Sequence, residues 1–240
     1  MQSLTKKLSW LTLFSIAMGF METAVVVYLR KIYYPNGFTF PLTPIDCDIA
    51  IVEFYREAAT LIMLLGIGIL AGKNTSQKFA FFIYCFAIWD LFYYVFLKLL
   101  IDWPQSLFTW DILFLIPVPW VGPVLAPCIV ALTMIVLTLF IVYFDEKGYD
   151  AKLKIKEWVM IGLGSLIIII SFVWDYIKHV NENSSTGHIW TLSRKESLFS
   201  EIAQYVPTTY NWWIFSFGEV IIIYVLLIYI RRIKNGKVRN

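Results

Sequence analysis

The chain has 240 residues, of which 59% are hydrophobic and only 15% are charged, and its mean hydropathy is +0.70. Soluble domains contain about 45–50% apolar and about 25% charged residues, so this composition excludes a water-soluble globular fold. The formal net charge of +3 is too small to indicate a nucleic-acid partner. The sequence therefore predicts an integral membrane protein whose first partner is the lipid bilayer.

Six segments are long and apolar enough to cross about 30 Å of hydrocarbon as helices. They cover residues 8–29, 49–71, 79–101, 120–143, 157–177 and 211–230. We predict an all-α membrane protein, with residues 1–240 forming a single transmembrane bundle of six helices and residues 178–210 forming an outer loop. Within that loop, residues 197–205 are expected to form a short amphipathic helix on the outer face.

Prolines interrupt the apolar stretch between the third and fourth spans, at positions 104, 117, 119, 123 and 127. Proline removes a backbone donor and breaks the interior of a helix. We therefore predict a separate short helix from Thr109 to Ile116, flanked by prolines and capped by Thr109, which lies at the interface or re-enters the membrane. The fourth span is then expected to begin near Trp120, with a kink at Pro127.

Basic residues are distributed unevenly between the two sets of connecting segments. The segments on the side of the N-terminus contain Lys6, Lys7, Lys73, Lys78, Lys147, Lys152, Lys154, Lys156, Arg231, Arg232, Lys234, Lys237 and Arg239. The opposite segments contain only Arg30, Lys31, Lys178, Arg194 and Lys195. The positive-inside rule then predicts that both termini are cytoplasmic, in a cell membrane for which a prokaryotic inner membrane is our preferred assignment. Tryptophan and tyrosine residues near the outer boundary fit an aromatic belt.

Ionisable residues inside the predicted spans are the main candidates for function, because such residues are rare and costly in hydrocarbon. The acids are Glu22 in the first span, Glu53 and Glu57 in the second, Asp90 in the third and Glu219 in the sixth. At 1.5 Å per residue, four of them (all except Glu53) lie roughly 10–16 Å below the outer boundary. This common depth predicts one acidic chamber that opens toward the outside.

Five further residues are expected to support that chamber: Arg56, Tyr93, Tyr94, Lys98 and Asp111. Tyr94 and Lys98 share a helix face with Asp90, and Tyr93 lies alongside. Several carboxylates in one place need protons, a cation or basic partners. If a metal ion binds, Glu57 and Asp90 are its candidate ligands, since hard cations prefer oxygen.

The leading functional hypothesis is that the chamber binds or transports a cation, a proton or a small cationic solute. A second hypothesis is a membrane-embedded enzyme that acts on a lipid or lipid-linked substrate through carboxylate acid/base or metal chemistry. A third is a non-catalytic subunit or assembly factor of a membrane complex, acting with a partner subunit or as a homo-oligomer. Whether the chain is an enzyme is left open.

Two further expectations limit these hypotheses. Glu53–Arg56 and Asp90–Lys98 could be ion pairs that only hold helices together, in which case no chamber is needed. No haem or retinal is expected, because His179 and His188 both lie outside the spans and the sixth span contains no lysine.

The orientation can be tested with single cysteines at positions 187 and 235, placed in a chain whose Cys47, Cys85 and Cys128 are replaced by alanine. A membrane-impermeant maleimide added to intact cells should label position 187 and leave position 235 unlabelled until the membrane is opened. Labelling of both positions in intact cells would contradict the six-span topology.

Overall fold

The structure is a computed structural model that describes residues 2–116, 118–183 and 205–236. Residues 184–204 lie outside these ranges. The amphipathic helix predicted over residues 197–205 therefore falls almost entirely outside the described residues, and His188 does so as well.

Six long α-helices make up most of the described chain. They are α1 (Gln2–Tyr33), α2 (Cys47–Ala71), α3 (Thr75–Ile101), α4 (Leu125–Glu146), α5 (Ile155–Asn183) and α6 (Trp212–Lys234). Each is long and apolar enough to cross a membrane, so the prediction of six such helices is confirmed and the architecture is consistent with a multi-pass membrane protein. We call the end of the bundle that contains Gln2 and Lys234 the terminal end, and the opposite end the hairpin end.

Side-chain caps fix where three of these helices begin. The Asp46 carboxylate accepts a hydrogen bond from the backbone N–H of Asp48 at 2.9 Å, and α2 follows. The side-chain oxygens of Asn74 and Asn211 accept from backbone N–H groups three residues further on, at the starts of α3 and α6. These short polar side chains bind N–H groups that have no partner inside the helix.

Helix α3 is the centre of the bundle. It packs against α1, α2 and α4, while α4 also contacts α6, and α6 packs along α5. Ala80, Cys85 and Leu97 of α3 are fully buried by these neighbours. The outward faces of all six helices instead expose large apolar side chains, as Leu70 and Phe217 show with 83% and 61% of their surface exposed. Such an apolar exterior is unfavourable in water and suits a lipid environment.

A β-hairpin occupies the connection between α3 and α4, where the sequence predicted a short helix from Thr109 to Ile116. Strands β1 (Trp110–Phe114) and β2 (Trp120–Pro123) pair antiparallel, with Trp110 opposite Pro123 and Ile112 opposite Val121. The prediction of a short helix here is wrong, whereas the predicted bundle of long helices fits the structure. The aromatic and β-branched residues of β1 favour an extended strand, and Pro119 and Pro123 have no N–H to donate to a helix.

The hairpin satisfies its backbone at its base and is enclosed by protein. The N–H of Val124 donates to the Thr109 carbonyl at 3.0 Å, and the N–H of Leu125 donates to the Leu107 carbonyl at 2.7 Å. Thr109 therefore closes the hairpin instead of capping a helix. Trp120 stacks on Phe172 of α5 at 6.2 Å between ring centroids. Irregular backbone within a membrane protein is stable only where protein or water shields it, as here.

Helix α4 begins at Leu125, not near Trp120 as predicted. Pro127 lies in the first turn of α4, where a backbone N–H would have no intrahelical acceptor. The proline therefore removes no hydrogen bond from this helix, and the kink predicted at this residue has no cause there.

Asp175 near the end of α5 anchors the segment 205–211. Its carboxylate accepts hydrogen bonds from the Tyr205 hydroxyl at 2.7 Å and from both the backbone N–H and the hydroxyl of Thr208 at 3.1 and 3.0 Å. Burial and the adjacent carboxylate raise the pKa of Tyr205 well above its usual range, so the phenol keeps its proton and remains a donor. This segment leads directly into α6.

Helices α5 and α6 pack closely against each other at two glycines, Gly164 and Gly218. A Cβ atom added to Gly218 would lie 2.9 Å from the backbone oxygen of Gly164 and 2.7 Å from Cγ1 of Ile168. Small residues at such crossings allow backbones to pack closely where no hydrophobic effect drives helices together in lipid.

Replacing Gly218 by alanine should therefore destabilise the protein by about 1–3 kcal/mol, because the backbone of α5 must move to make room. Thermal unfolding in detergent micelles measures the effect. Gly162 provides the matched control on α5, since nothing lies within 4 Å of a Cβ added there. Equal melting temperatures for Gly218→Ala and Gly162→Ala would contradict the close crossing.

Candidate functional site

A cavity of about 390 Å³ lies at the hairpin end of the bundle. Its walls come from α1, α2, α3, Tyr176 of α5, and two segments that cover it, residues 34–45 and residues 111–119. We call residues 34–46 together with residues 109–124 the cap. The ionisable residues lining the cavity are the acids Glu22, Glu53, Glu57, Asp90 and Asp111 and the arginines Arg30 and Arg56.

Arg56 joins α1 to α2 inside this cavity. Its Nε donates to the Glu53 carboxylate at 2.8 Å, and its Nη1 forms a short ion pair with Glu22. The Glu53–Arg56 pair considered from the sequence is therefore present, and the same guanidinium also binds a second acid on the neighbouring helix. One positive charge thus faces two carboxylates.

Glu57 connects α2 to the cap. One of its carboxylate oxygens accepts a hydrogen bond from the backbone N–H of Leu115 at 2.9 Å, directly after β1. The residue is buried, with 8% of its surface exposed. A carboxylate at this position therefore satisfies a backbone donor at the tip of the hairpin.

Asp90 differs from the other acids because its carboxylate has no hydrogen-bond donor or ion-pair partner in the part of the chain that the structure describes. It lines the cavity between Trp89 and Tyr93. Its oxygens are therefore open to a partner that enters the cavity.

Arg30 and Asp111 form a second buried ion pair, between α1 and β1. Nη2 of Arg30 lies 3.1 Å from Oδ1 of Asp111, and the two residues are 8% and 2% exposed. The guanidinium also lies over the ring of Phe38 at 4.4 Å and over that of Trp103 at 3.7 Å, which is cation–π geometry. One side chain thus ties α1, both parts of the cap and the end of α3 together.

This second pair is only half satisfied. Nη1 of Arg30 and Oδ2 of Asp111 are both buried and have no hydrogen-bond partner among the described residues. Burial raises the pKa of Asp111 to about 6, against the lowering effect of Arg30. Buried ions repay their desolvation only when their remaining donors and acceptors are also bound. An additional partner at this position would therefore be stabilising.

The structure thus brings most of the predicted site residues together on one cavity. They are Glu22, Glu53, Glu57 and Asp90, with Arg56, Tyr93, Tyr94 and Asp111 in support. Two predicted residues lie elsewhere. Glu219 accepts a hydrogen bond from Thr133 at 2.9 Å between α4 and α6. Lys98 pairs with Asp102 at 2.7 Å at the exposed end of α3, and not with Asp90.

Sequence reasoning did not identify Arg30, Tyr34 or Phe38 as part of the site, and it did not assign a role to Asp175. Arg30 follows the predicted first span directly, so the charge pattern counted it as an ordinary flanking cation. Asp175 lies two residues before the end of the predicted fifth span, where a polar residue is common. No local signal in the sequence marks these residues as buried.

The cavity is closed toward the terminal end by a packed layer. About two turns below Glu22 and Glu57 lie Ser15 and Leu64, and a little over one turn below Asp90 lies Cys85. All three are 0% exposed. On the opposite side, the cap lies between the acids and the hairpin end.

A metal centre has little support among these side chains. No group of three or more His, Cys, Asp or Glu residues in the described ranges has an arrangement that could hold a metal ion. Glu57 and Asp90, the candidate metal ligands, both line the cavity but do not belong to such a group.

Comparisons with known protein families, with curated proteins and with solved structures find no match for this chain. The function must therefore be inferred from the cavity itself.

Replacing Arg30 by alanine should destabilise the protein by about 3–5 kcal/mol, because Asp111 then loses its counter-charge while buried. Unfolding in detergent micelles, followed by circular dichroism, measures the change. Lys98→Ala is the matched control: its ion pair is 50% and 78% exposed, and exposed pairs contribute at most about 1 kcal/mol. Similar destabilisation in both variants would contradict the role given to Arg30.

Proposed function

We propose that this multi-pass membrane protein binds a small organic cation in the acidic cavity. The observation that carries the proposal is the charge of the lining: five carboxylic acids face two arginines, which gives a formal charge of −3 around one cavity. Charges of one sign cannot all remain ionised in a poorly solvated cavity without a compensating cation or protons.

The size of the cavity favours an organic cation over a proton or a single bound metal ion. A cavity of about 390 Å³ has room for several water molecules and is much larger than a proton or a single metal ion needs. That volume lies within the range of pockets that hold small organic ligands.

The walls favour a cation that also has an apolar part. Aromatic side chains from four helices line the cavity, among them Tyr33, Phe54, Trp89 and Tyr176. Aromatic faces attract ammonium groups, and they also contact methyl and methylene groups favourably. Asp90 is the acid that we expect to bind the positive group, because no protein donor engages it.

Binding is the function that the described conformation supports. The distribution of basic residues favours an opening on the side opposite the cytoplasm. Transport would require the layer of Ser15, Leu64 and Cys85 to open, and uptake into proteoliposomes measures this separately. The enzyme and subunit hypotheses stay predictions from the sequence, since no particular contact in the cavity favours them.

The proposal can be tested by isothermal titration of the purified protein with n-butylammonium and tetramethylammonium. At least one should bind with saturation and raise the melting temperature, and Asp90→Asn should weaken that binding about tenfold or more. Asparagine keeps the shape of the side chain, removes its charge and replaces one acceptor oxygen by an amide donor.

Glu219→Gln is the matched control, because it changes a buried carboxylate between α4 and α6, outside the cavity. It should leave the affinity unchanged. Absence of binding for both cations, or equal losses in the two variants, would contradict the proposal.

A further inference from the structure

We infer that the bound cation carries two or more ammonium groups, as a diamine or a longer polyamine does, and that Asp90 and Asp111 each bind one of them. This inference rests on the proposed function and specifies the class of its ligand. It depends on which carboxylate oxygens are already engaged by protein donors.

Protein donors bind three of the five acids: Glu22, Glu53 and Glu57. Arg56 binds both Glu22 and Glu53, and the N–H of Leu115 binds Glu57. The two remaining acids keep open oxygens. Asp90 has no donor among the described residues. Asp111 binds Arg30 through Oδ1 and has the Tyr94 hydroxyl beside its carboxyl, but its Oδ2 is buried without a hydrogen bond.

These two acids lie on different walls, Asp90 on α3 and Asp111 on β1 of the cap. An ammonium group has three N–H donors and binds a carboxylate through charge-assisted hydrogen bonds. Asp111 lies beside Tyr94, one helical turn along α3 from Asp90, so a molecule with two ammonium groups can place one on each carboxylate.

The surface between the two acids suits a hydrocarbon chain. Tyr93 and Tyr94 lie three and four residues after Asp90, on the same face of α3. Tyr94 is about 6 Å further along the helix axis and lies next to Asp111. The methylene groups of a short diamine would lie against these rings while its two ends reach the carboxylates.

The charge of the cavity leads to the same ligand class. With a formal lining charge of −3, a monocation leaves two negative charges without compensation, and a dication leaves one. Since uncompensated charge is costly in a buried site, affinity should rise with the number of ammonium groups.

The experiment compares ligands that differ only in charge. Isothermal titration of the full-length protein in detergent uses n-butylamine, 1,4-diaminobutane and N-acetyl-1,4-diaminobutane, all protonated at pH 7.5. The diamine should bind about tenfold or more tightly than either monocation. Diamines with three and five methylene groups and spermidine then define the preferred spacing.

Two variants assign the second ammonium group to its carboxylate. In Asp111→Asn the ratio of diamine affinity to monoamine affinity should fall close to one, and the same should happen in Asp90→Asn. The second variant also keeps the inference testable if Asp111→Asn does not fold. Glu219→Gln should keep the ratio of the unmodified protein.

The possible outcomes separate the inference from the proposed function. Equal affinities for the diamine and its acetylated form would overturn the inference and leave the proposed function standing. An unchanged affinity ratio in both aspartate variants would also overturn it. Binding of none of these amines would overturn the proposed function.

Discussion

The ion pair of Arg30 with Asp111 determines the form of the hairpin end. A guanidinium is planar, so one face can lie on Trp103 and another part on Phe38 while its edge binds the carboxylate. These contacts fix the cap relative to α1 and α3, and the cap encloses the cavity. A lysine could not replace this arginine, because an ammonium group has neither the planar stacking surface nor the reach of the fork. The acidic cavity therefore depends on a basic residue, Arg30, in its own lining.

The acids of the cavity differ in how fully protein donors bind them. Arg56 is shared by two acids, Glu57 is occupied by one backbone donor, and Asp90 has no donor among the described residues. A chain that used these groups only to hold helices together would gain more stability by pairing each acid fully or by replacing it with an apolar residue. Asp90 and Asp111, which keep open oxygens, both lie on the cavity wall. That arrangement is the physical basis for assigning them to a ligand.

The six long apolar helices and the grouping of three acids could be predicted from the sequence, because hydrophobic length and helical rise are local properties. Glu22, Glu57 and Asp90 come from three helices, and their depths alone place them in one layer. Glu219 has the same depth but lies between α4 and α6, because depth does not specify which helices are neighbours. The hairpin could not be predicted, since a proline-interrupted apolar stretch fits either a short helix or two strands until its tertiary contacts are known. From the sequence, Trp103 looks like one of the tryptophans of the aromatic belt. Its contact with Arg30 could not be predicted, because the two residues lie far apart in the chain.

The stacking of Trp120 on Phe172 has a consequence for the order of assembly during synthesis. The hairpin is made before α5, yet α5 supplies one of the surfaces that shield it. Until that helix is inserted, the outer backbone groups of the strands need water or another protein around them, because hydrocarbon offers no hydrogen-bond partners. The segment from 102 to 124 must therefore remain in an aqueous or chaperoned setting while at least 50 further residues emerge from the ribosome. We therefore expect its closure over α1–α3 to follow the insertion of α5.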